Sequence, residues 1–131
     1  MSKGILLLGH GSTVKEANDT LRKIASAVRG TGGYAVVMPA FLQLERPDFH
    51  QAIDEIASKG ILEITVMPYF LYSGAHVIKD LPNEMAEAIK RHPKIRFTVT
   101  DSLGYHEKLV DIILERLSSA NGNGAGEACK V

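Results

Sequence analysis

The amino-acid sequence predicts the α/β class, with a four-stranded parallel sheet and helices on both faces. Short apolar runs alternate with stretches of helical period, and Gly, Pro or His-Pro punctuation separates them, which is the pattern of a parallel sheet covered by helices. The 131 residues are enough for one core and too few for two.

Ile5–Leu8 reads as a strand buried on both sides, and Gly9-His10-Gly11-Ser12 as the tight turn after it. Thr13 reads as an N-cap, because Glu16 three residues on completes a capping box. Val14, Ala17, Leu21, Ile24, Ala25 and Val28 then recur at helical spacing and form one buried face before Gly30, Gly32 and Gly33 stop the helix. Tyr34–Pro39 is the second strand. Pro47 and Asp48 open a helix whose inner face is Phe49, Ala52, Ile53, Ile56 and Ala57, and Gly60 ends it.

Ile61–Pro68 is the third strand. Leu81-Pro82 marks either a helix start or a kink within one, ahead of Met85, Ala86 and Ile89, and His92-Pro93 closes that helix. Ile95, Phe97 and Val99 alternate with polar neighbours as in an edge strand, and Leu109, Ile112, Ile113 and Leu117 face inward from a last helix. The domain therefore spans residues 1–118. The Ser, Asn, Gly and Ala of 119–131 predict a disordered tail. One internal echo, Val37–Leu42 against Val66–Leu71, has the second and third strands ending alike, each at a Pro.

Fifteen Lys and Arg balance fifteen Asp and Glu, so no overall basic field is available to hold nucleic acid or an anionic membrane. A single cysteine, Cys129, rules out an internal disulfide and suits a reducing cytosol. No apolar run approaches the roughly 18 residues of a membrane span. The expectation is a cytoplasmic protein with no nucleic-acid or membrane partner.

In open α/β sheets ligands bind beyond the carboxyl ends of the strands, where strand order reverses. The order 2-1-3-4 puts that point between the first and third strands, so His10 and His76 flank it. Neutral imidazole is both a ligand for first-row metals and a base near neutral pH. Either histidine alone serves equally well as a turn or packing residue; two converging on the ligand face favour function. His50, His92 and His106 read as surface or capping residues. The N–H groups of Ser12 and Thr13 at a helix start offer an anion site. Nucleotide fingerprints fail, since Val14 stands where the third Gly belongs and no Lys-Ser or Lys-Thr follows. Ser12 lacks the nucleophile-elbow spacing, which disfavours a hydrolase built on Ser12 and His10.

Gly9-His10-Gly11-Ser12, Ala40-Phe41-Leu42, and Pro68-Tyr69-Phe70-Leu71 through Gly74, His76-Val77 and Asp80-Leu81-Pro82 follow the first three strands in that order. Together they resemble the class II tetrapyrrole chelatases, and most closely the short sirohydrochlorin chelatases of the CbiX type. The resemblance runs from about residue 3 to residue 117, with Leu103-Gly104 and His106 fitting the exit of the fourth strand. It implies half of a flavodoxin-like, chelatase-like fold. It also implies insertion of a divalent metal, Co²⁺ foremost or Fe²⁺ or Ni²⁺, into sirohydrochlorin without ATP, in cobalamin or sirohaem biosynthesis. The metal is then a substrate, with no cofactor permanently bound.

The resemblance further implies that His10 and His76 are the catalytic, metal-handling residues. Substrate contacts fall at Gly11, Ser12, Phe41, Leu42, Glu45, Arg46, Tyr69, Phe70, Leu71, Ser73, Gly74, Ala75 and Val77. Longer members hold two such halves in one chain, so a short member is expected to be a homodimer. Two positions depart from the pattern: Gln43, where many members have Glu, and Lys79, where an acidic residue is frequent. Glu45 and Asp80 are the nearby carboxylates that remain, and Lys15, Arg46, Lys79 and the Ser12 end of the helix are candidates to hold the substrate's own carboxylates. The same residues would serve a carrier that holds tetrapyrrole or metal without accelerating insertion.

Overall fold

The computed structural model describes residues 2–123. Its elements run β1 (Lys3–Gly9), α1 (Lys15–Gly30), β2 (Val36–Phe41), α2 (Phe49–Ser58), β3 (Glu63–Pro68), α3 (Ala75–Arg91), β4 (Arg96–Val99) and α4 (Glu107–Asn123). The sheet is parallel throughout in the order β2-β1-β3-β4, as the sequence predicts. Strand side chains alternate between faces, so the apolar run of β1 feeds two cores. Leu6 and Leu8, with Ile64 and Val66 of β3, pack against Phe49, Ile53 and Ile56 of α2 and Val77, Leu81 and Met85 of α3. Ile5 and Leu7, with Val37 and Phe41 of β2, pack against Leu21 and Ala25 of α1.

The start of α2 is fixed locally. The Asp48 carboxylate accepts from the Gln51 N–H at 2.8 Å, and the Gln51 side chain accepts from the Asp48 N–H at 2.9 Å, satisfying two helix-end donors reciprocally. Gly60 leaves the helix at φ 80°.

Three expectations are corrected and one alternative is decided. α1 begins at Lys15 with Val14 as N-cap, so Glu16 falls one position short of closing a box with Thr13. β2 lies two residues later than expected and continues past Pro39, which is tolerated because β2 is an edge strand. Of the two readings of Leu81-Pro82, the one within a helix holds, since α3 starts at Ala75 and Pro82 lies inside it.

The third correction is the largest. Ile112, Ile113 and Leu117 of α4 do not face inward; they are 48%, 58% and 56% exposed. The helix also runs to Asn123, so residues 119–123 are helical where a disordered tail was expected. The remainder of that tail, with Cys129, lies outside the described residues.

Candidate active site

The carboxyl ends of β1 and β2 are stitched together beyond their strands. Leu42 N–H donates to the Gly9 carbonyl at 2.9 Å and Gln43 N–H to the His10 carbonyl at 3.1 Å. The crossing is so close that a Cβ on Gly11, whose φ is 89°, would lie 1.8 Å from the Gln43 carbonyl oxygen. Only glycine fits there. His10 is thereby held at the mouth of the switch point, exposed on one side. Its other side rests on the buried Phe70 ring, with centroids 4.3 Å apart.

Behind His10 a polar network anchors the turn to α1. Asn18, 5% exposed, accepts from the Ser12 N–H at 3.0 Å and donates to the Ser12 carbonyl at 2.8 Å. Its amide also reaches Glu45 at 3.4 Å, which in turn accepts from Arg22 at 2.9 Å. Arg22 additionally donates to the Arg46 carbonyl and lies 5.2 Å from the centre of the Phe41 ring. The Arg46 N–H, first, and the Arg22 guanidinium, second, hold the Glu45 carboxyl below its ordinary range against a smaller opposing effect of desolvation. Arg22 is raised in turn, chiefly by Glu45.

This network takes one donor from the expected anion site: the Ser12 N–H is held by Asn18, and the neighbouring Val14 N–H by the Ser12 hydroxyl at 3.0 Å. It also assigns Glu45 to holding the β2 exit loop, since both its oxygens accept hydrogen bonds from the protein. Asn18 and Arg22 were missed in the sequence. The signal was there: Asn18 is a polar residue on the same helical face as Val14, Leu21 and Ala25.

A cleft of about 410 Å³ opens in front of His10, lined by Leu8, Leu42, Gln43, Val77, Asp80, Leu81, Asn83 and Glu84. Position 76 falls in the first turn of α3, not in a loop, four residues ahead of Asp80 and eight ahead of Glu84; its side chain is outside the described residues. Those spacings put all three positions on one helical face. Glu84 is therefore a second residue that the four-residue rhythm could have revealed. Its carboxylate lies 3.2 Å from the His50 ring nitrogen. Among the described residues no three His, Cys, Asp or Glu side chains converge as a metal cage.

The other expected contacts divide by environment. Phe41 is 1% exposed and belongs to the core, though its edge and Tyr69 line a small hollow beneath His10, Gly11 and Ser12. Leu71 is exposed. Gly74 is the N-cap of α3 and Ala75 its first residue. Ser73 shares a hydrogen bond with Ser102 at 3.2 Å and lines, with Val77, a second groove between α3 and the β4 exit. Arg46 and Lys79 are exposed, and Lys15 pairs with Asp19 at 2.7 Å. His92 meets Asp54 of α2 at 2.8 Å, a pairing between helices, and the His106 ring accepts from the Lys108 N–H at 3.0 Å, so His106 keeps a capping role at the start of α4.

A doubly wound α/β domain with its cleft at the switch point, and a histidine presented by the first strand-to-helix turn, is the class of protein that this architecture defines. The chain belongs to the CbiX family, whose sequence model matches residues 4–120. It is 30% identical to the chloroplastic sirohydrochlorin ferrochelatase of Arabidopsis thaliana over 95% of this chain and 56% of the relative. It is also 30% identical to the sirohydrochlorin cobaltochelatase of Methanothermobacter thermautotrophicus over 89% of this chain and 92% of the relative. The fold superposes on the sirohydrochlorin chelatase SirB of Bacillus subtilis subspecies spizizenii in complex with cobalt, at a TM-score of 0.84 and 29% identity, covering 91% of this chain and 51% of that one. The chain thus spans about half the length of the first curated relatives it matches. No helix among the described residues is long and apolar enough to cross a membrane.

Proposed function

We propose that this chain is a sirohydrochlorin chelatase that inserts a divalent metal into the macrocycle without ATP, with Co²⁺ as the foremost metal and Fe²⁺ or Ni²⁺ as the others its chemistry admits. The observation that carries this reading is His10, exposed at the mouth of the cleft and oriented by Phe70 behind it, with the carboxylates of Asp80 and Glu84 lining the same cleft. Similarity to ferrochelatases and cobaltochelatases of sirohydrochlorin supports the substrate.

The parts suit the chemistry. A neutral imidazole has one lone pair, which can hold a dication as it sheds water or accept a proton from a pyrrole N–H. Asp80 and Glu84 add negative potential, which draws a dication into the cleft and disfavours the macrocycle's own carboxylates there. Those carboxylates are held outside it, by the exposed Arg46 and Lys79. Leu42, Val77 and Leu81 supply an apolar wall for the ring. His76 joins His10 as a metal-handling residue in this reading. The metal is cargo and no cofactor is resident. The working unit is a homodimer, in keeping with relatives about twice as long, and one cysteine suits a cytosolic setting.

The test is spectrophotometric: sirohydrochlorin is mixed with Co²⁺, Fe²⁺ or Ni²⁺ with and without the protein, and the uncatalysed rate is subtracted. Acceleration with at least one metal is expected. Tight binding of sirohydrochlorin with no acceleration would make the chain a carrier instead.

A further inference from the structure

The α1 side of the sheet is only half covered. α1 packs over β1 and β2, but beyond it an apolar groove of about 350 Å³ remains open across β1, β3 and the β4 exit, lined by Ile24, Val28, Tyr34, Met67, Tyr69 and Leu103 among others. In a doubly wound domain this is the place of the helix that follows the last strand. That helix, α4, exists and carries the matching surface: Val110, Ile113, Leu114 and Leu117 are 42–58% exposed and recur at helical spacing along one stripe. A groove and a helix that ought to cover each other are both bare.

The connection explains why. Between β4 and α4 the chain is bonded to the β3 exit: Thr100 N–H to the Val66 carbonyl at 2.9 Å, Leu103 N–H to Phe70 at 2.8 Å and Gly104 N–H to Leu71 at 2.6 Å. Thr100 and Leu103 themselves form one wall of the groove. Gly104, at φ 58°, then sends α4 outward. With the chain held up to Gly104, α4 leaves from Glu107 away from its own groove.

We propose that α4 docks in the α1-side groove of a second copy of this chain, whose α4 docks in return. This rests on the homodimer reading above and specifies its interface. Each copy offers one helix and one groove, so a two-fold exchange leaves neither bare and closes without further association. A helix of about 25 Å laid on a sheet buries on the order of 800–1,000 Å² counting both surfaces, and two such contacts reach the range of stable dimers. The exchange bears on the site as well, because Tyr69 lines both this groove and the hollow beneath His10 and Ser12. The partner's helix becomes a neighbour of the metal-handling loop.

The full chain is examined by multi-angle light scattering, as wild type, as Ile113→Asp, and as a Cys129→Ser chain carrying Val28→Cys and Ile113→Cys. Wild type is expected at twice the chain mass. Ile113→Asp, at a position already exposed in the single chain, is expected to be folded by circular dichroism, at single-chain mass. Oxidation of the double-cysteine chain is expected to give a covalent dimer on a non-reducing gel. A dimer that survives Ile113→Asp, or a disulfide formed only within one chain, would overturn the exchange while leaving the homodimer in place. A wild-type chain that stays monomeric would overturn both.

Discussion

Helices α1 and α4 carry the same kind of apolar stripe and meet opposite surroundings. Leu21 and Ala25 of α1 are 4% and 3% exposed, whereas Ile113 and Leu117 of α4 are 58% and 56% exposed. What differs is the connection ahead of each helix. The chain into α1 crosses the β2 exit at Gly11 and is tied back through Asn18 to Ser12, so the helix lies over β2 and β1. The chain into α4 is tied to the β3 exit and leads away. Periodicity tells which face of a helix is apolar; the connection decides what that face meets.

The comparison is sharpened first at the turn that aims α1. Gly11→Ala places a Cβ against the Gln43 carbonyl at a positive φ, and backbone cannot yield as a flexible side chain does. A loss above about 4 kcal/mol is expected in urea unfolding, among the largest single-residue effects. A loss below about 1 kcal/mol would mean that the crossing is soft.

Next comes a pair of deletions. Ile53, 1% exposed in the α2 core, should cost about 3 kcal/mol as Ile53→Ala at any protein concentration. Leu117→Ala should cost little in dilute solution and progressively more as concentration rises, because its burial is supplied by another chain. Equal, concentration-independent losses would erase the contrast between the two helices.

A smaller effect is expected at Asn18. Asn18→Ala leaves the Ser12 N–H and carbonyl without their partner, at a cost of about 2 kcal/mol. The rate of metallation should fall too, as the His10 turn loosens. Unchanged stability would show that water replaces the amide freely.

The smallest effect is a pH dependence. Glu45 is held below its ordinary range in the fold, so its contribution is fully present above the unfolded value of about 4.3 and is lost as pH falls through the lower, folded value. The stability gap between wild type and Glu45→Gln should therefore be constant from neutral pH to about 5 and close only in stronger acid. A gap that closes already between pH 7 and pH 5 would contradict the Arg22–Glu45 clamp.

The position of His10 was legible because a turn directly follows an apolar strand, and the start of α2 because Pro47-Asp48 opens a helix; strand order followed from the commonest arrangement of four parallel strands rather than from any one residue. Other features were legible in part. Leu81-Pro82 left a helix start and a position within a helix both open, because Pro favours a first turn yet can sit inside; Gly74 caps α3 and Pro82 is accommodated within it. Thr13 was read as a cap because its spacing to Glu16 fits, but Ser12 and Asn18 together satisfy the backbone one step away. Glu84 joins the cleft only through the four-residue rhythm of α3, and the structural role of Glu45 emerged only once Arg22 was seen beside it. The fate of α4 was not legible at all, since it depends on hydrogen bonds between two loops far apart in sequence.

The central claim is that the cleft in front of His10 performs metallation. The His10 ring is exposed on one side and rests on Phe70 on the other, so His10→Ala should keep the circular dichroism spectrum of the wild type and an unfolding midpoint close to it. The rate of cobalt insertion into sirohydrochlorin, corrected for the uncatalysed reaction, is then measured for both chains. The account predicts a fall of about 100-fold or more, the scale of a lost ligand or proton acceptor. A variant within about threefold of wild type would contradict it.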